Sequence, residues 1–194
     1  MPPMPCEQTG EQSGERTAER TGAHGGGPAL AELQARLRDW QPDLTGTLLF
    51  VVAGGRVLLI HKRRGHGAGR INGPGGKIDA GETPLAGAIR ETREETGVTP
   101  LAPRLAAVMR FVELEGDDWL GYVFVAHACA GEPRTTPEAV PEWFALDALP
   151  FDRMWPDDRL WLPRVLAGEA LRGDFLFRRG ELLAWRLAPL ERTD

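Results

Sequence analysis

The sequence predicts an α+β domain, a mixed β-sheet packed against a small number of helices. Three observations carry that expectation. β-rich runs come in pairs around Gly54–Gly55 and around Gly180, the signature of hairpins. One stretch, 83–97, has Pro84 near its start and Gly97 at its end, the punctuation of a helix. Strands and helices follow one another without regular βαβ alternation, so the class is α+β or an α/β sandwich.

Taken in order, residues 1–28 are rich in Gly, Glu, Thr and Pro and hold too little apolar surface to build a core, so they read as a disordered tail. In residues 29–43, Leu30, Leu33 and Leu37 recur at helical spacing, predicting a short amphipathic helix over 29–39 and a linker, with its docking left open. The folded domain is expected over 44–194. There TGTLLFVVA and RVLLIHKR form the first hairpin, and a Gly-rich loop covers His66–Gly76. The helix 83–97 follows, then paired strands over 104–114 and 118–128. PEWFALDAL reads as a strand end and a turn, WPDDRLWLPRVLAG opens a helix at its Pro-Asp-Asp step, and FLFRRGELLAWRL is the final hairpin.

Composition narrows the function classes. The chain has 194 residues, 42% of them hydrophobic, and a formal net charge of −5. No apolar run approaches the roughly 18 residues of a membrane span. The N-terminus lacks an apolar signal core and carries Glu7, Glu11, Glu15 and Glu19, so a cytoplasmic location is expected. An acidic chain is a poor non-specific binder of nucleic acid. If its ligand is a polyphosphate, a divalent cation must offset the shared negative charge. Cys6 and Cys129 lack zinc-ligand spacing, and no structural disulfide is expected.

The chemistry concentrates on the 83–97 helix. On a helical wheel Leu85, Ala88, Ile89, Thr92 and Thr96 share one side, and Glu91, Glu94 and Glu95 share another with Gly87. Like charges at this spacing repel, and Glu94 and Glu95 sit near the helix C-terminus, where the dipole disfavours anions. Two readings fit: a solvated face partnered by Arg90 and Arg93, or a site for a hard cation such as Mg²⁺ or Mn²⁺. GPGGKI is not a P-loop, because Ile78 follows the lysine where Ser or Thr is required. GHGAGR is not a dinucleotide fingerprint, because Arg70 stands where the third Gly belongs.

The stretch GKIDAGETPLAGAIRETREETGV resembles the Nudix box, G-x5-E-x7-R-E-U-x-E-E-x-G-U with U a bulky aliphatic residue. Gly76, Glu82, Arg90, Glu91, Glu94, Glu95, Gly97 and Val98 fall on it, and Thr92 departs from it at the first U position. The resemblance implies the Nudix fold, a mixed β-sheet sandwiched between helices. It also implies hydrolysis of a phosphoanhydride bond with Mg²⁺ or Mn²⁺ held by Glu91, Glu94, Glu95 and the carbonyl near Gly75. Arg90 would orient the cluster, and a carboxylate would act as base. Lys62, with Arg63 and Arg64, is a candidate phosphate contact.

Beyond the box, KRRGHGAGRINGPGGK, PEWFALDALPFDRMWPDD, WLPRVLAG, GDFLF and LLAWRL resemble the oxidised purine nucleoside triphosphatases of animals. That likeness implies a monomer converting 8-oxo-dGTP and 2-hydroxy-dATP to monophosphate and pyrophosphate, with no nucleic-acid or membrane partner. It assigns the base contacts to Asn72, Trp155, Asp157 and Asp158, and further substrate contacts to Thr47, Lys62, Phe111 and the loop Pro74, Gly75, Gly76 and Lys77. It makes Glu138 a fourth metal-binding carboxylate. Two adjacent carboxylates in a low-dielectric pocket share a proton, so one can donate to a purine carbonyl while the other accepts. Asp157 and Asp158 also suit a helix N-terminus, so capping is a second role open to them. The family's pocket aromatics are missing at His66, Ile71 and Glu113, and its Phe is replaced at Pro74. These departures keep two alternatives in view: another nucleotide substrate, such as a dinucleoside polyphosphate or nucleotide sugar, and a non-catalytic ligand-binding domain.

Overall fold

The computed structural model describes residues 22–191. Its centre is a nine-stranded mixed sheet in the order β1-β11-β10-β6-β7-β2-β3-β4, with β9 on the other edge of β3. The strands are β1 (Gly22–His24), β2 (Leu44–Ala53), β3 (Arg56–Lys62), β4 (Ile71–Asn72), β6 (Arg104–Glu113), β7 (Trp119–Ala126), β9 (Ala139–Ala145), β10 (Leu171–Arg178) and β11 (Glu181–Pro189). A separate two-stranded sheet joins β5 (Thr99–Leu101) to β8 (Ala128–Ala130). Helices α1 (Gly27–Arg36) and α2 (Pro84–Thr96) lie on one face of the large sheet, and α3 (Asp158–Leu166) on the other.

The expected hairpins form because their turn residues match the twist of the strands. Gly54 and Gly55 take φ of 54° and 71°, as a two-residue type I′ turn requires. The β10–β11 turn does the same at Arg179 and Gly180, with φ of 51° and 79°. Arg179 carries a backbone cost there, offset by the Glu113 carboxylate, which accepts from Arg179 N at 2.9 Å and Gly180 N at 3.3 Å.

Alternation along the strands divides the core. On β2, Phe50 faces α3, while Leu49 and Val51 face α2. All three are fully buried because the sheet is covered on both sides. Trp161 of α3 meets Phe50 edge-on at 6.0 Å between ring centroids and is itself fully buried. Burial of one such ring stabilises the fold by about 1.5–3 kcal/mol.

Several expectations change. Gly22–His24, assigned to the tail, pairs antiparallel with the edge of β11. The first helix begins at Gly27 and docks through Leu33, which is buried against Val112, Leu176 and Ala184. The strand ending in PEWFA runs over Ala139–Ala145 and pairs with the whole of β3. Cys129 is buried in β8, and the expectation about its pairing with Cys6 lies outside the described residues. The remainder of the expected tail, residues 1–21, lies outside the described residues.

Candidate active site

Helix α2 is capped as the sequence suggested. The Thr83 hydroxyl accepts from Ala86 N at 3.2 Å, and Gly97 closes the helix with φ of 81°. The apolar side differs in one place: Leu85 is exposed, while Ala88, Thr92 and Thr96 are buried. Thr92 fits the aliphatic position by turning its hydroxyl back to Ala88 O at 2.7 Å. Gly87 makes room for Glu82, since a Cβ there would stand 2.9 Å from the Glu82 carboxylate.

Arg90 organises the carboxylates. Its guanidinium pairs with Glu82 at 2.9 Å, Glu91 at 2.7 Å, Glu94 at 3.3 Å and Asp79 at 3.6 Å. The hydrogen bonds to Glu82 and Glu91 push Arg90 above its already high pKa, and Arg90 in turn lowers that of Glu82. Glu95 is separate and only 1% exposed. It accepts from Gly75 N at 2.8 Å and pairs with Lys62 Nζ at 3.2 Å, while Lys62 also donates to Gly75 O at 2.9 Å. Burial raises the Glu95 pKa, opposed by Lys62 and the Gly75 N–H.

The box loop is fastened along β2. Thr47 N donates to Gly76 O, Leu49 N to Pro74 O and Ile78 N to Thr45 O, at 2.8, 2.9 and 3.1 Å. Only glycine permits this approach. A Cβ at Gly75 would fall 2.0 Å from Thr47 O, and one at Gly76 would fall 2.5 Å from the Glu91 carboxyl carbon.

Among the described residues, no three His, Cys, Asp or Glu side chains converge into a ready-made metal cage. Glu91 and Glu94 turn to Arg90, and Glu95 turns to Lys62. The donor set nonetheless fits a hard divalent ion. Asp79, Glu82, Glu91 and Glu94 all share the single guanidinium of Arg90, so carboxylate charge exceeds its cationic partners. Glu138 does not join them; its side chain is exposed at the entry to β9, and its carbonyl accepts from Arg63 N at 2.8 Å.

A cavity of about 840 Å³ opens beside this loop. Its lining includes Thr47, Lys62, Gly75, Gly76 and Lys77 toward the box, and Asn72, Phe111, Trp155, Asp157 and Asp158 beyond them. Pro74 is the exception among the expected substrate residues: it is buried in the loop and does not line the cavity. Thr47 is 4% exposed, and its hydroxyl is a buried side-chain oxygen with no partner among the described residues. Such an orphan costs about 1–3 kcal/mol unless a ligand satisfies it.

Asp157 and Asp158 are 3% and 2% exposed. Asp157 accepts from Trp161 Nε1 at 2.9 Å, and Asp158 accepts from Trp155 N at 3.0 Å. Asp157 occupies the N-cap position of α3 without a side-chain cap hydrogen bond, and Asp158 lies in the first turn, where the helix dipole favours an acidic group. Burial raises both pKa values, and the charge of Asp157 raises Asp158 further. A pair that shares one proton can present an acceptor and a donor side by side.

Sequence reasoning missed three parts of this site. Trp119 lines the cavity from β7, on the face it shares with Gly121 and Val123; the Trp-x-Gly-x-Val alternation was the available signal. Arg70 lies 4.3 Å from the Trp155 ring, and Glu113, noted only as a missing aromatic, anchors the β10–β11 turn at the cavity wall.

The NUDIX domain family model matches residues 44–165. The chain is 41% identical to the oxidized purine nucleoside triphosphate hydrolase of Danio rerio over 71% of this chain and 88% of that one. It is 39% identical to the Mus musculus protein of the same name over 75% and 94%. Among solved structures it resembles a mutator MutT protein from Bacillus halodurans, with a TM-score of 0.66 and 32% identity over 76% of this chain and 99% of that chain. With the box loop, its carboxylate helix and the mixed sheet all in place, the chain belongs to the Nudix hydrolase family.

Proposed function

We propose that the protein hydrolyses oxidised purine nucleoside triphosphates such as 8-oxo-dGTP and 2-hydroxy-dATP to the monophosphate and pyrophosphate, as a cytoplasmic monomer using Mg²⁺ or Mn²⁺. The observation that carries this reading is the buried Asp157–Asp158 pair, placed in the same cavity as the unpartnered Thr47 hydroxyl and the box loop. Relatives named oxidized purine nucleoside triphosphate hydrolase support it.

The division of labour follows from the chain's own groups. Glu91, Glu94, Glu95 and the Gly75 carbonyl would hold the divalent ion, which would supply charge neutralisation for the phosphates and acidify water; Glu138, exposed at the entry to β9, is left out of this set. Arg90 fixes the rotamers of Glu82, Glu91 and Glu94. Glu94, with a side chain 55% exposed, is the carboxylate best placed to take a proton from attacking water. Lys62 and Lys77 contribute positive charge beside the loop that receives the phosphates.

At the base end, Asp158 holds the proton and donates to a purine carbonyl, while ionised Asp157 accepts from a ring N–H or amino group. Asn72 adds an amide, and Trp155 an aromatic surface. Oxidation changes the purine's donor and acceptor pattern, and each mismatched buried group costs about 1–3 kcal/mol. The test is a panel of triphosphates with pyrophosphate release as readout. The expected result is a kcat/KM for 8-oxo-dGTP at least about tenfold above that for dGTP. A ratio near one overturns the oxidised-purine reading.

A further inference from the structure

The family's aromatic positions are filled by His66, Ile71 and Glu113, which predicts a pocket short of stacking surface. The fold supplies a ring from another strand. Trp119 opens β7 and lines the cavity, yet it belongs to none of the apolar core clusters of the described residues. Its ring lies against Gly46 of β2, where an added Cβ would meet it at 3.2 Å. Gly46 forms a bridge to Lys77 of the box loop, and Lys77 Nζ stands 5.6 Å from the Trp119 ring centroid. His66 joins the two indoles, with its ring centroid 5.1 Å from each, at 32° to Trp119 and 12° to Trp155. Trp119 therefore spans the stretch from the phosphate loop to the Trp155 end of the cavity, beside which the two aspartates lie.

Resting on the purine reading above, we propose that Trp119 is a base-contacting, specificity-determining wall of this pocket, with His66 as the positioning residue that holds its ring. Gly46 leaves the room this wall needs, since a Cβ there would meet the Trp119 ring at 3.2 Å. Burial, reinforced by Lys62, Lys77 and Arg70, lowers the His66 pKa and so favours the neutral imidazole, which suits a ring held between two indoles. An aromatic face under a base is worth roughly 10- to 100-fold in affinity.

The experiment compares wild type with Trp119→Ala, Trp119→Phe and His66→Ala. It measures the Kd of 8-oxo-dGMP by calorimetry, KM and kcat for 8-oxo-dGTP, and KM for base-free ribose 5-triphosphate. Trp119→Ala should raise the Kd and the nucleotide KM by about tenfold or more. That loss should lie in KM rather than kcat, and the base-free KM should not change. Trp119→Phe should recover most of the affinity, and His66→Ala should fall between. An unchanged Kd in Trp119→Ala overturns the proposal, as does an equal rise in KM for the base-free triphosphate, which would mark a phosphate-side or folding defect. If wild type does not prefer 8-oxo-dGTP to dGTP, the oxidised-purine reading fails on its own. The comparison is then run with dGTP and dGMP, and the base-free control still decides the role of Trp119.

Discussion

Replacing Asp157 with Asn exchanges one oxygen for an NH2 group at a point whose orientation the structure dictates. Trp161 Nε1 donates to Asp157 Oδ2 at 2.9 Å, and both side chains are buried. The amide must keep its oxygen toward Trp161, because the reverse orientation sets two donors against each other. Its NH2 then replaces the remaining carboxylate oxygen, and an acceptor position becomes a donor. The lost charge-assisted hydrogen bond to the purine is worth about 1.5–3 kcal/mol, which corresponds to roughly a 10- to 150-fold fall in kcat/KM for 8-oxo-dGTP. The effect on stability has the opposite sign. Burial pushes Asp157 from 3.8 to about 6, so between those pH values the folded chain holds more protons than the unfolded chain. The contribution of Asp157 to stability therefore falls as pH rises through that window. Above it, ionised Asp157 is a net cost to the fold, because burial disfavours its charged form. Asp157→Asn removes that cost and weakens the Trp161 bond, so its Tm at pH 8 should equal or exceed the wild-type value. The assays are kcat/KM for 8-oxo-dGTP and dGTP, and Tm from pH 4 to 8. An unchanged selectivity ratio, or a variant whose Tm falls with pH as steeply as wild type, refutes the argument.

Two further outcomes are expected. Glu95→Gln places an NH2 against either Gly75 N or Lys62 Nζ, the two groups its carboxylate now satisfies. It should lower kcat by at least about 100-fold and weaken Mn²⁺ binding measured by electron paramagnetic resonance; near-normal kcat, or full turnover in EDTA, would sink the metal mechanism. Deleting residues 1–28, silent by the sequence reading, removes β1 from the edge of β11 and the Gly26 carbonyl that accepts from Ala29 N and Leu30 N at the start of α1. Its Tm should drop, by about 2–4 °C per kcal/mol lost, while kcat/KM holds because β1 lies at the far edge of the sheet from β2; an unchanged Tm would show that β1 contributes nothing.

The sequence alone determined whatever depends on near neighbours. Thr83, Pro84 and Gly97 set the bounds of α2, Gly54–Gly55 and Gly180 set two turns, and the spacing of Arg90, Glu91, Glu94 and Glu95 put the carboxylates on one helix. It misjudged the tail end, because the fit of Gly22–His24 to the edge of β11 is not a local property. Only the tertiary structure decided what meets across long separations. Parallel pairing of β2 with β7 sets Leu44 beside Trp119 and carries that ring over Gly46, and parallel pairing of β6 with β10 brings Glu113 under the Arg179–Gly180 turn. Strand register gathers these residues, and no periodicity of 2 or 3.6 encodes which distant strand will lie alongside. The sequence also could not give the partners of its own acidic pair. Asp157 and Asp158 look like helix caps in one dimension; only the fold shows them buried in the cavity wall, with Trp161 donating to one and the Trp155 N–H to the other.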